Sequence, residues 1–159
     1  MRGNLVNAEI RSDRIYHFPM ARSELWRLLG NVESYPDWWP WMKEFDAKRL
    51  RQGELWRCTI QPPLPYTLQG QVRLAVVIEP ELIEAELTGD IAGWATLAFL
   101  EDGDQTQIRL HTELSASSAA IRVTSRTFPS LARWGHDWVL DTAARQLMAA
   151  LALDKRGSA

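Results

Sequence analysis

The 159-residue chain has one cysteine, Cys58, and that scarcity excludes several protein classes. A lone thiol makes no intramolecular disulfide, no cysteine-rich zinc or iron–sulfur site and no secreted disulfide scaffold, so a reducing cytoplasm is the expected compartment. Charge of one sign is equally scarce. Lys+Arg number 18 against 20 Asp+Glu, a formal net charge of −2, and neither half departs far from balance: residues 1–80 carry 11 bases and 9 acids, residues 81–159 carry 7 and 11. Phosphate backbones are held by a basic excess, so no nucleic-acid partner is expected. Long apolar runs are missing too. The longest, Leu147–Leu153, has seven residues, against the roughly 20 that a membrane-spanning helix needs. The N-terminus lacks the apolar middle of a signal peptide. No stable membrane insertion is therefore expected.

Motifs for metal and nucleotide chemistry are likewise missing. There is no His-Glu-x-x-His, no Cys-x-x-Cys pair, no phosphate-cradling glycine loop and no Gly-x-Ser-x-Gly elbow. His17, His111 and His136 are dispersed without ligand spacing, so neither a metal nor another cofactor is expected. Without a repeat, low-complexity tract or Gly/Ser linker, one domain is expected over 1–159, with its core at about 10–153.

What the chain does have is an ordered alternation of patterns. Ile10–Phe18 is rich in β-branched and aromatic residues and stops at Pro19, which predicts a strand. Ala21–Leu29 places Leu25, Leu28 and Leu29 on one face beside Trp26, with Arg22, Glu24 and Arg27 outside, and Gly30-Asn31 follows as a helix stop. The stretch Ser34–Trp41 holds two prolines and three of the eight tryptophans, so it admits only a short helical turn within an aromatic corner. From there to about residue 117, period-2 alternation predicts five or six antiparallel strands. Trp56, Cys58 and Ile60 share one face. Leu68, Gly70, Val72, Leu74, Val76 and Ile78 form a second inward row, and Ile83, Ala85 and Leu87 a third. Trp94–Leu100 turns over at Glu101–Asp104 into Gln105–Ser115.

A long helix is predicted from Pro129 to about Leu153. Arg133, Asp137, Asp141 and Arg145 fall along one side at the four-residue spacing that favours ion pairs, so this side is expected to face water. The opposite side carries Gly135, Val139, Thr142, Ala143, Gln146 and Ala150, flanked by His136 and Leu147. These are small or polar residues where a filled core would place Leu and Phe. Two packings satisfy the pattern: large sheet residues such as Trp56, Trp94 and Phe99 fill the space, or a cavity remains for a ligand. An empty void costs about 24 cal/mol per Å³, which favours a cavity with an occupant.

Element order and several segments together resemble the helix-grip superfamily of START domains, birch-pollen-allergen proteins and bacterial polyketide cyclases/dehydratases (SRPBCC). Those segments are Ile15–Pro19 with Leu25–Leu29, Tyr35–Trp41, and the Gly93-Trp94 strand leading through Gly103 to Thr106. The resemblance spans roughly Arg11–Leu153. It implies an α+β helix-grip fold: a curved antiparallel sheet of six to seven strands around a long C-terminal helix, with two short helices after the first strand. It also implies a hydrophobic cavity under that helix for a lipid, polyketide or aromatic metabolite. Carriers, sensors and enzymes share such a fold, so catalysis does not follow from it.

The expected ligand-binding residues are Trp41, Trp56, Tyr66, Trp94, His136, Val139, Thr142, Ala143 and Gln146. Should the protein be a polyketide cyclase/dehydratase, His136 and Tyr66 are its candidate acid/base groups. His136 can equally bond a backbone carbonyl at the helix edge. Arg109, His111 and Glu113 alternate with the apolar row Ile108, Leu110 and Leu114, so they are expected on a solvated outer face. At least one of Trp38, Trp39 and Trp41 is expected to staple the short helix to the sheet. A partner-binding adaptor, using Pro62–Pro65 and the Trp38 corner, is a third reading. A monomer or homodimer is expected.

Overall fold

Ten residues of alternating exposure, Glu9–Phe18, make β1, and β1 closes a sheet whose other strands follow much later in the chain. The computed structural model describes residues 9–63, 67–117 and 129–157. After β1 come α1 (Arg22–Leu29), a single 3-10 turn (Val32–Ser34) and α2 (Tyr35–Trp38). Six strands then run as β2 (Met42–Lys43), β3 (Leu55–Ile60), β4 (Leu68–Ile78), β5 (Leu82–Gly89), β6 (Ile91–Asp102) and β7 (Gln105–Ala116), and α3 (Pro129–Gly157) ends the described chain. Strand order is β1-β7-β6-β5-β4-β3-β2, with every pair antiparallel. The sheet curls into a half-barrel around α3.

Register fixes which side chains point into that curl. On β7, Thr106, Ile108 and Thr112 are buried, while Arg109, His111 and Glu113 face out as the alternation predicts. On β4 the predicted inward row breaks. A bulge between Leu74 and Val76 inserts one residue, so Val77 rather than Val76 packs on the core and Ile78 is 47% exposed. A one-residue slip reverses every later side chain, which alternation counted straight through the strand cannot reveal.

The core has a solid end and an open one. At the solid end Phe18, Leu25, Trp26, Phe99, Leu147 and Leu151 belong to one buried cluster. Trp26 meets Phe99 edge to face, with centroids 5.2 Å apart, a contact worth about 0.5–1.5 kcal/mol beyond area burial. The aromatic corner centres on buried Tyr35, which stacks on Phe45 and meets Trp39 and Trp56 edge-on. Its hydroxyl donates to the Leu29 carbonyl at 2.5 Å, tying α2 to the end of α1.

The expected tryptophan staple exists but grips a different element. Trp39 Nε1 donates to the Ala143 carbonyl at 3.0 Å, and Trp41 Nε1 to Gln146 Oε1 at 2.7 Å. Both indoles tie the corner to α3, not to the sheet. The water-facing side of α3 also departs from expectation. Arg14 on β1 lies 2.7 Å from Asp137 and 2.5 Å from Asp141, so the two aspartates pair across the fold instead of along the helix. None of the described helices is long and apolar enough to cross a membrane.

Candidate functional site

Toward its N-terminal end α3 presents Gly135, His136, Val139 and Leu140 to the sheet. Glycine and valine are too short to cross the curl, and a cavity of about 280 Å³ remains. Its walls come from every long strand: Ile10 of β1, Cys58 and Ile60 of β3, Gly70 and Val72 of β4, Leu87 of β5, Ile91 and Ala95 of β6, and Leu110 and Leu114 of β7. Pro62 and Ala116 also line it. Aliphatic side chains dominate, and no described lining residue carries a formal charge except His136 when protonated.

The polar lining residues are Gln69 and Gln71 of β4, Thr88 of β5, Thr112 and Ser115 of β7 and His136 of α3, and a hydrogen-bonded group forms where β7 meets α3. Thr112 Oγ1 lies 3.2 Å from His136 Nε2 and 3.2 Å from Ser12 Oγ on β1. Behind the imidazole, Nδ1 is 3.3 Å from Asp137 Oδ1, the oxygen that Arg14 Nη2 also reaches at 2.7 Å. Arg14 continues to Asp141, whose carboxylate accepts from the Tyr16 hydroxyl at 3.3 Å. A polar chain thus runs from the cavity wall to the surface of β1. Burial lowers the His136 pKa and outweighs the neighbouring Asp137, so the ring is held neutral. Burial acts to raise the Asp137 pKa, but the hydrogen bond from His136 and the Arg14 guanidinium outweigh it and keep Asp137 ionised. A carboxylate only accepts, so the imidazole proton belongs on Nδ1 and Nε2 presents a lone pair.

Of the residues expected to bind ligand, His136 and Val139 line this cavity. Trp94 does not: it stands on the outer face of β6, 45% exposed, opposite Glu86 and Glu113 in the register. Its neighbour Ala95 faces inward instead, and Gly93 on the other side of Trp94 has a positive φ. Trp56 is buried, but it belongs to the aromatic corner and donates to the Arg49 carbonyl at 3.1 Å. Trp41, Ala143 and Gln146 form the staple, away from the cavity lining. Thr142 is buried one face round and accepts from Arg145 at 3.2 Å. Tyr66 lies outside the described residues.

Sequence reasoning missed most of the aliphatic wall and, among the hydrogen-bonded polar groups, Thr112, Ser12 and Arg14. The alternation already put Thr112 in an inward apolar row, where a hydroxyl needs a partner; that was its available signal. His17 lies on β1 and His111 on β7, exposed and 3.3 Å from Glu113. Among the described residues, no group of three or more His, Cys, Asp or Glu side chains is placed to hold a metal ion.

No protein-family model matches the chain, and no curated protein matches it in sequence. Solved structures do match. A START superfamily protein from Mycobacterium smegmatis superposes with a TM-score of 0.70 at 13% identity, over 90% of this chain and 97% of that one. The chain has the helix-grip fold. Two other solved structures are similar. Ara h 8.0201 gives 0.69 at 8% identity, over 91% and 98% of the two chains. The ZhuI aromatase/cyclase from Streptomyces sp. R1128 gives 0.62 at 15% identity, over 89% and 90%. At such identities the likeness is one of fold, and the site must be argued from its own residues.

Proposed function

We propose that this helix-grip protein binds a hydrophobic small molecule, a lipid, polyketide or aromatic metabolite, in the cavity between α3 and the sheet. The observation that carries the reading is the aliphatic wall around about 280 Å³, close to the lower end of ligand pockets in general. An occupant that buries apolar surface there gains about 25 cal/mol for each Å² removed from water. One domain working in the cytoplasm, as monomer or homodimer, suffices for this role.

Native mass spectrometry of freshly purified protein, set beside its denatured mass, tests the reading. A non-covalent adduct of apolar composition supports it. Absence of any adduct, even after incubation with lipid extract and a polyketide mixture, contradicts it and favours the partner-binding adaptor.

One observation favours a second reading, a cyclase/dehydratase acting in the same cavity. Neutral His136, oriented by Asp137, presents an unprotonated Nε2 to the cavity, as a general base at an enolisable carbon requires. Structural similarity to an aromatase/cyclase supports the fold for that chemistry. Mass analysis of ligand recovered after incubation distinguishes the two: loss of water from the ligand marks the enzyme, and unchanged ligand marks the carrier.

A further inference from the structure

A largely apolar cavity with a few polar groups does not treat all apolar ligands alike. Gln69, Gln71, Thr88 and Ser115 also line the wall, but the polar pair set between sheet and helix is Thr112 Oγ1 and His136 Nε2, and what it can offer is limited by its surroundings. Asp137 occupies Nδ1 from behind, so Nε2 acts as an acceptor. Thr112 has a second partner in Ser12 at the same 3.2 Å distance, so its hydroxyl can turn to Ser12 and release the Nε2 lone pair to a ligand. No lysine or arginine lines the cavity among the described residues. Around the ring the charged groups are Asp137 on α3, Arg14 on β1 and Arg133 one turn earlier on α3. Arg14 is already held by Asp137 and Asp141.

We propose that the cavity selects uncharged molecules bearing a hydroxyl, phenols or alcohols, whose O–H donates to His136 Nε2, and rejects the corresponding carboxylates. This inference rests on the cavity-binding reading. A ligand hydroxyl meets an acceptor that is already oriented, whereas an ether of the same shape leaves Nε2 without a new donor. A carboxylate fares worse. It brings a charge into an aliphatic site with no cation to receive it, and its oxygens confront the lone pair of Nε2.

The test uses three probes of one ring system at pH 7.5, titrated calorimetrically into the full chain: 2-naphthol, 2-methoxynaphthalene and 2-naphthoate. The expected order is 2-naphthol tighter than 2-methoxynaphthalene by about 10-fold or more, the size of one hydrogen bond to a buried group. No measurable binding is expected for 2-naphthoate. In His136→Leu the preference between the first two probes is expected to vanish while 2-methoxynaphthalene still binds. Should that variant fail to fold, the order of the three probes on the wild-type chain decides alone. Equal affinity for 2-naphthol and 2-methoxynaphthalene, or tighter binding of 2-naphthoate, overturns the inference and leaves the cavity reading standing. Failure of all three to bind overturns both.

Discussion

Arg14 and Asp137, 123 positions apart in the chain, meet at 2.7 Å. That contact does two things. It docks the long helix onto the first strand, and it holds the carboxylate that orients His136 against the cavity. Packing and site therefore share one ion pair.

Replacing Arg14 with Leu leaves Asp137 and Asp141 as like charges one helical turn apart. Both carboxylates keep partial contact with water, at 33% and 51% side-chain exposure, which limits the cost. A loss of about 1–3 kcal/mol in urea-denaturation stability is expected. Adding Asp137→Asn to the same chain is expected to cost less than the sum of the two single changes, because the partners interact.

His136 gives the stability a pH dependence of known sign. Burial lowers its folded-state pKa below the ordinary 6.5, so on acidification the unfolded chain takes up this proton first. The contribution is complete above about pH 6.5 and fades as pH falls through the lower folded value, with a slope of at most about 1.4 kcal/mol per pH unit. Urea midpoints at pH 7.5 and 5.5 are expected to fall more steeply on acidification for the wild type than for His136→Gln. Equal slopes would remove His136 as the cause.

Gly93 sits at φ 147°, and an added Cβ there would lie 1.9 Å from the Glu113 carbonyl oxygen. The three nearest atoms, Glu113 O and C and Leu114 Cα, are all backbone, so no side chain can move aside. Gly93→Ala is expected to destabilise the protein by about 2–4 kcal/mol in thermal or urea unfolding, by forcing β6 from β7 beside the cavity wall. A loss below about 0.5 kcal/mol would mean that these strands separate freely there.

Trp94 stands outside the sheet, so Trp94→Ser is expected to leave ligand affinity within twofold of the wild type. Stability should change by less than about 1 kcal/mol, as for other half-exposed sites. A tenfold loss of affinity for 2-naphthol would return Trp94 to the cavity wall.

These outcomes also show which parts of the molecule are legible in its sequence. Strand phase on β3 and β7 and the stop at Gly30 follow from local periodicity and match the burial pattern and helix end, while of the small face of α3 only Gly135 and Val139 reach the cavity. Resemblance of the ordered segments to helix-grip proteins carries the topology. What local pattern cannot supply is a contact made across the fold. The Arg14 pairs look on the helix alone like intrahelical partners for Arg133 and Arg145. Gln146 and Ala143 lie on the small face, yet two indoles claim them. Trp94 attracts attention by size, while the cavity depends on its small neighbour Ala95.

The most direct test of the central claim is a nuclear magnetic resonance titration of labelled protein with 2-naphthol, read at assigned backbone and methyl signals. The account predicts shifts concentrated at Ala95, Leu114, Gly135 and Val139, with Trp94 and Leu100 on the outer face unmoved. Shifts concentrated on that outer face, or none at saturating probe, would contradict a ligand site between α3 and the sheet.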